Sequence, residues 1–212
     1  MLHPLYSQFD RGAWTRASAR QRLGLSPGDE VALFFGYVRR YKGLDTLLEA
    51  WKQVRARRPA TLLVAGEFYE DPAPYRALAR AAGGEPSVRL LDHYLQDDEV
   101  EAVFRAADVA VLPYRSATQS GVTHVAYALG VPVITTDVGG LSETVVAGET
   151  GLVVPPENPE ALARSIVRFF EERLGEGMRA GVEALKREHS WESLAHRTLE
   201  LVDDLKPGRG WR

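Results

Sequence analysis

The 212 residues include no cysteine, which excludes disulfide frameworks, thiolate metal sites and cysteine nucleophiles in one step. Strong charge of either sign is also missing. A net charge of -3 at pH 7 supplies no general field for DNA or RNA, although a local basic cluster can still hold one phosphate group. No apolar run approaches the roughly 20 residues of a membrane span. The start, Met1-Leu2-His3-Pro4-Leu5-Tyr6, has no cationic stretch followed by an apolar run, so it does not read as a signal peptide. The expected compartment is therefore the cytoplasm, with no nucleic-acid partner and no membrane span. His3, His93, His124, His189 and His196 are dispersed along the chain, so no metal is expected and a metal-dependent hydrolase lacks its ligand cluster.

What is present is ordinary for a globular domain: 45% hydrophobic and 26% charged residues, in a length that one domain can hold. Arginine outnumbers lysine, but the arginines are spread along the chain and read as codon bias or heat adaptation rather than as a site. Apolar runs rich in Val, Leu, Ile and Phe predict buried strands at 31–37, 61–66, 88–91, 109–114 and 133–136, with a weaker sixth at 151–154. Their continuous apolar character fits a parallel sheet covered on both faces. Leu44, Leu47, Leu48, Trp51 and Val54 repeat at helical spacing, as do Val122, Val125, Ala126 and Leu129. Shorter helices are predicted at 14–23, 75–82 and 97–106.

Alternating strands and helices give the expected fold: α/β, a Rossmann-like doubly wound parallel sheet of about six strands, with C-terminal helices. After Pro155-Pro156, Asn158 as cap and Pro159 in the first turn open a purely helical region, and a last helix runs from Ser190-Trp191 through Leu194, Leu201 and Leu205 to Pro207-Gly208. The expected organisation is a linker and lead-in helix at 1–29, a Rossmann-like unit at 30–188, and a C-terminal helix and tail at 189–212.

In an open parallel sheet ligands bind beyond the carboxyl ends of the strands, so the loops there carry the search for chemistry. The first, Gly36-Tyr37-Val38-Arg39-Arg40-Tyr41-Lys42-Gly43, sets three cations beside a helix N-terminus, where free N–H groups already favour an anion. It is neither a Walker A loop nor GxGxxG. Alone the cluster reads equally as a solvated turn; its place at the ligand end of a strand decides for phosphate. The second loop, Pro113-Tyr114-Arg115-Ser116-Ala117-Thr118-Gln119-Ser120-Gly121-Val122, ends where Ser120-Gly121 opens a helix, so its amides can approach an anion; an ordinary Ser cap with a packing Gly is the plainer reading. A third, Asp137-Val138-Gly139-Gly140-Leu141-Ser142-Glu143, is a simple turn or brings Glu143 to the same cleft. His124 touches a ligand or, more commonly for such a residue, packs or caps.

Together these segments resemble the C-terminal, nucleotide-sugar-binding domain of GT-B type glycosyltransferases of the large retaining family four, the glycosyl transferases group 1. The resemblance lies in Phe35-Gly36, the run from Tyr41-Lys42-Gly43-Leu44 to Glu49-Ala50, Ala65-Gly66, and Ala107-Asp108 through Leu112-Pro113. It continues in Ala128-Leu129-Gly130-Val131-Pro132, Asp137-Val138-Gly139-Gly140 with Glu143, and Thr150-Gly151-Leu152-Val153-Val154-Pro155, covering roughly residues 30–205.

The resemblance implies a nucleotide diphosphate sugar as substrate, no cofactor, and one half of a GT-B fold. Lys42 and one of Arg39 or Arg40 match the basic pair that neutralises the diphosphate as leaving group, with Gly36, Tyr37, Ser120, Gly121, Val122, His124 and Glu143 around the donor. His93-Tyr94-Leu95 lies where the family's base-binding backbone sits. Two features depart from the pattern. Ala117 and Val125 stand where the family has glutamates, and Tyr37 replaces the arginine after the first-strand glycine. The resemblance also implies a separate N-terminal acceptor-binding domain or subunit, with Leu2 to Tyr6 as the linker to it and little activity in this half alone. The alternative is a non-catalytic nucleotide-binding or scaffolding module that kept the fold.

Overall fold

The computed structural model describes residues 5–204. The first expected element is α1 (Arg16–Arg22), shorter than the predicted 14–23 because Thr15 caps it: its side chain accepts from the Ser18 amide, and the Ser18 hydroxyl returns the contact to the Thr15 amide. Six strands follow: β1 (Glu30–Phe35), β2 (Ala60–Ala65), β3 (Val88–Leu91), β4 (Val109–Leu112), β5 (Val133–Thr136) and β6 (Gly151–Val154). All pairs are parallel, in the order β3-β2-β1-β4-β5-β6. The predicted β1 and β4 run too far. Gly36 turns the chain at φ 96°, so Tyr37 leaves the sheet, and β4 stops before Pro113, which has no N–H to donate.

The helices between strands are α2 (Leu44–Arg55), α3 (Ala73–Ala81), α4 (Asp97–Ala106) and α5 (Gly121–Ala128). Strand residues alternate between two cores, as the period of a strand requires. Ala32, Phe34, Leu62, Val64, Val109 and Val111 face α2 and α3; Val31, Leu33, Leu63, Ala65, Ala110 and Leu112 face α1, α4 and α5. After β6, Asn158 accepts from the Ala161 amide with Pro159 in the first turn, and α6 (Pro159–Glu171) returns to pack beside α2. The helical tail breaks at Arg173, in the left-handed region at φ 51°, before α7 (Leu174–Glu188) and α8 (Trp191–Asp204). The sequence pattern did not separate α6 from α7. Leu205 and Pro207-Gly208, expected to close the last helix, and Met1 to Pro4 of the expected linker lie outside the described residues.

The chain crosses from one face to the other between β1 and β4. The helix leaving β1 covers one face and the helix leaving β4 the opposite one. A crevice therefore opens above these two central strands at their carboxyl ends. Among the described residues no helix is long and apolar enough to cross a membrane.

The lead-in segment is anchored to the same sheet by one carboxylate. Asp108 accepts from the Val31 amide at 2.8 Å and from Arg20 at 3.0 Å, and also pairs with Arg16. Arg20 is 1% exposed and its remaining donors go to the carbonyls of Ala106, Ser26 and Pro27. Replacing Asp108 by Ala leaves this buried guanidinium without its counter-charge, so urea unfolding should show a loss of about 3–5 kcal/mol. A loss below about 1 kcal/mol would show that the pair does not anchor α1.

Candidate functional site

Lys42 lies at the floor of the β1–β4 crevice. It sits in a single 3-10 turn, Arg40–Lys42, and the αL residue Gly43 (φ 69°) then opens α2. Only glycine fits there for a second reason: a Cβ on Gly43 would lie 2.0 Å from the Pro113 carbonyl oxygen, so the loops after β1 and β4 touch backbone to backbone. The turn is held from the β4 side by Arg115. Its amide donates to the Tyr41 carbonyl at 2.7 Å, its guanidinium to the Arg40 carbonyl at 2.7 Å, and the same group pairs with Asp45 at 2.8 Å and Glu157 at 3.0 Å. The charge of Arg115 is thus satisfied inside the protein.

Lys42 is different. It is only 7% exposed, and among the described residues its ammonium makes no hydrogen bond and no ion pair. Its Nζ stands 5.8 Å from the centre of the Tyr114 ring, whose π-face attracts a cation. Space for the ammonium comes from Gly36, where a Cβ would approach Nζ to 2.7 Å. Burial, and secondly the charge of Arg39, bring its pKa down from 10.5 to about 8, so near neutral pH it still carries its charge. Burial pushes the Tyr114 hydroxyl far above the ordinary phenol range, so the wall behind Lys42 is neutral.

Two concavities meet at this side chain. One, of about 600 Å³, is lined by Lys42, Tyr41, Tyr114 and the stretch from Ser116 to Val122. Here the N-terminus of α5 faces the opening. Ser120 caps it, its hydroxyl accepting from the Val122 amide at 3.2 Å and contacting the Tyr114 hydroxyl at 3.4 Å. The second concavity, of about 190 Å³, is lined by Gly36, Tyr37, Lys42, Gly66, Glu67, Tyr94 and Leu95. A third, of about 360 Å³, lies beyond Gln119 and contains His124, Glu143 and His189.

The structure thus gathers Gly36, Lys42, Ser120, Gly121 and Val122 around one crevice, joins Tyr37, Tyr94 and Leu95 to it through Lys42, and sets His124 and Glu143 in the adjoining cavity. The three cations do not act as one cluster. Arg39 is exposed and stacks over Tyr69 at 4.8 Å, and Arg40 is exposed with its amide donating to Glu70 at 2.6 Å. Nor does the anion-favouring end belong to α2, as the sequence suggested, because the Asp45 carboxylate occupies its first turn. The end of α5 faces the crevice instead.

His124 packs and caps: its Nδ1 is 3.2 Å from the Ser120 carbonyl oxygen and its ring stacks on Tyr6 at 5.5 Å. The glycine pair is structural. A Cβ on Gly139 or Gly140 would lie 1.8 Å and 2.5 Å from the carbonyl oxygens of Ala117 and Thr118, so the pair lets the loop after β5 shape the loop after β4. Sequence reasoning gave no role to Arg115, Tyr114 or Glu67. Arg115 lies in the loop after β4 and Asp45 in the first turn of α2, but their pairing spans 70 positions and has no local signature. Among the described residues no group of three or more His, Asp or Glu is placed to hold a metal ion.

Residues 29–172 match the family model of the glycosyl transferases group 1. The D-inositol 3-phosphate glycosyltransferase of Corynebacterium glutamicum is 31% identical over 208 residues, covering 94% of this chain and 49% of that protein. Sucrose-phosphate synthase from Thermosynechococcus elongatus superposes with a TM-score of 0.75 at 29% identity, over 96% of this chain and 51% of that one. The Anabaena HepE protein, solved with UDP and glucose, shares the fold at a TM-score of 0.74 and 21% identity, over 90% of this chain and 52% of that one. The chain spans about half the length of the curated relatives it matches.

A buried ammonium without a counter-charge costs stability. Because its folded pKa lies below the unfolded value of 10.5, the cost is full below pH 8 and fades as pH rises from 8 to 10.5. Lys42→Met should therefore stabilise the ligand-free protein at pH 7 by roughly 1–3 kcal/mol, with the advantage shrinking toward pH 10. Chemical denaturation at several pH values measures this, and a destabilised variant at pH 7 would mean that Lys42 is a structural residue.

Proposed function

The chain belongs to the glycosyl transferases group 1 family, and from that premise we propose that it is the donor-binding half of a glycosyltransferase that takes a sugar from a nucleotide diphosphate sugar. The observation that carries this reading is Lys42: a buried cation, unpaired among the described residues, beside the N-terminus of α5. A diphosphate supplies the charge that this arrangement lacks. Its oxygens accept from Lys42 and from the amides at Ser120-Gly121-Val122, where the helix end adds its own positive potential.

The same contacts serve the chemistry. When the sugar's anomeric carbon leaves the diphosphate oxygen for an acceptor hydroxyl oxygen, negative charge grows on the diphosphate, which takes up the proton that the acceptor hydroxyl loses. A fixed ammonium in a water-poor crevice stabilises that charge more than water does. Arg39, stacked over Tyr69 yet near enough for its charge to lower the Lys42 pKa, is the second cation in this reading; Arg40 contributes chiefly through the backbone of the turn. Gly36 gives the room, and His124 and Glu143 lie on the side where the sugar extends. Arg115 is a positioning residue that keeps Lys42 in place. No metal or other cofactor is required in this reading, and the acceptor is supplied by a separate N-terminal domain or subunit, in keeping with the half-length match.

One observation favours the second reading, a nucleotide-binding or scaffolding module without transfer activity. Val125 is buried in the core and the Ala117 carbonyl is pressed against Gly139, so neither position that carries a glutamate in the family pattern offers a carboxylate to a ribose. Retained nucleotide binding with no turnover when the other half is supplied would establish this module.

Calorimetry with nucleoside diphosphates tests the donor site. Wild type should bind one of them below millimolar concentration, and Lys42→Ala should weaken it at least about tenfold, as expected for a lost charge-assisted contact. Binding that is absent, or equal in the variant, would remove the site. Bound diphosphate raises the Lys42 pKa above its free value of about 8, so affinity should be level below pH 8 and fall about tenfold by pH 9. A flat profile from pH 7 to 9 would show that the ammonium does not contact the ligand. Arg115→Ala should weaken binding without changing this pH profile.

A further inference from the structure

Beyond Lys42, on the side away from α5, three tyrosines stand exposed where the loops after β1, β2 and β3 meet. Tyr37 and Tyr94 are 37% and 57% exposed, with ring centres 6.4 Å apart and planes tilted by 32°. Tyr69 meets the Tyr37 ring edge to face at 4.5 Å and is itself covered by Arg39 at 4.8 Å. Tyr37 is thus braced from behind while its other side is open toward Tyr94. A planar ring stacked between two others needs about 7 Å, twice the optimal carbon contact of about 3.5 Å. The observed separation falls a few tenths of an ångström short of that, and both rings line the same cavity of about 190 Å³.

The one charged side chain in this cavity besides Lys42 is Glu67. It is exposed, and among the described residues its carboxylate makes no hydrogen bond and no ion pair. It is close enough to Tyr37 to push the phenol pKa upward, although less than the neighbouring Tyr69 does. An ionised carboxylate only accepts. Guanine offers it two adjacent donors, the N1–H and the exocyclic amine, pointing the same way. Uracil offers a single N3–H flanked by two carbonyl oxygens that the carboxylate repels, and adenine offers one amine beside an acceptor nitrogen.

We infer that Tyr37 and Tyr94 form a stacking slot for the nucleobase and that Glu67 makes it selective for guanine, so that the donor is a guanosine diphosphate sugar. This rests on the donor-half reading above, and on the tyrosine pair and the carboxylate meeting in one cavity that opens onto Lys42. Stacking supplies the affinity that any base can use, and the paired charge-assisted hydrogen bonds supply the choice among bases.

Calorimetric titration of the 212-residue chain with GDP, UDP, ADP and inorganic pyrophosphate, each also against Glu67→Gln and Tyr37→Ala, separates the two claims. GDP should bind at least about tenfold tighter than UDP or ADP. Glu67→Gln should reduce that preference to a few-fold, by weakening GDP and relieving the repulsion of uracil, while leaving the melting temperature unchanged. Tyr37→Ala should weaken every nucleotide by about fivefold or more and leave pyrophosphate binding unchanged. UDP or ADP binding as tightly as GDP, or a preference for GDP that survives Glu67→Gln, overturns the guanine assignment while the diphosphate site stands. Nucleotides that bind no better than pyrophosphate overturn the slot itself. Failure of all four ligands takes the donor-half reading with it.

Discussion

The contact between Gly43 and the Pro113 carbonyl is the constraint on which the site depends. β1 and β4 lie far apart in sequence but are neighbours in the sheet, and their following helices leave on opposite faces. The crevice that results is wide only if nothing bridges it and narrow only if the two loops touch. Glycine at position 43 lets the backbones meet at one point, and Arg115 adds hydrogen bonds across the same junction. The turn that carries Lys42 is therefore fixed from the side of β4, the strand whose following loop presents the amides of α5. Cation and amides are placed relative to each other by this one junction.

Within that frame the charges are divided between structure and ligand. Arg20, Arg16 and Arg115 each pair with a carboxylate that ties separate segments together, and Arg179 spends its donors on the carbonyls of Gly130, Ala107 and Asp108. Lys42 is more buried than Arg16, Arg115 or Arg179 but has no such partner among the described residues. Burying a charge is costly unless it is paired, and the depressed pKa expresses that cost. Strain of this kind persists where a ligand relieves it. This is why Lys42, rather than the more numerous arginines, marks the site.

The family pattern is kept in the frame and changed in the contacts. The glycines that set loop against loop, Gly36, Gly43, Gly66 and the Gly139-Gly140 pair, each face a group that a Cβ would strike. Ala117, Val125 and Tyr37 stand where the sequence resemblance leads one to expect two glutamates and an arginine. Tyr37 does not stand as a lone replacement, since it packs with Tyr69 and lies near Tyr94. The three departures lie in the cavity that Tyr37 shares with Lys42, in the loop after β4 and in α5, whereas the contacts that position the turn of Lys42 itself are complete.

The sequence by itself determined the element order, the parallel sheet and the region of the site. Apolar runs and helical spacing are local, and the chain has little choice once Gly36, Pro113, Asn158 and Pro159 set the ends of elements. Lys42 and the Ser120 cap were legible for the same reason, because each belongs to a short motif at a strand end. Where Arg39 and Arg40 turn was not legible: Gly36 leaves space for Lys42 alone, and Arg115 grips the backbone of Arg40 and Tyr41 from another strand. The Asp108 anchor and the meeting of Tyr37, Glu67 and Tyr94 were likewise decided only in three dimensions. They rest on contacts between segments far apart in the chain, and a pattern read along one segment carries no record of what will stand opposite it.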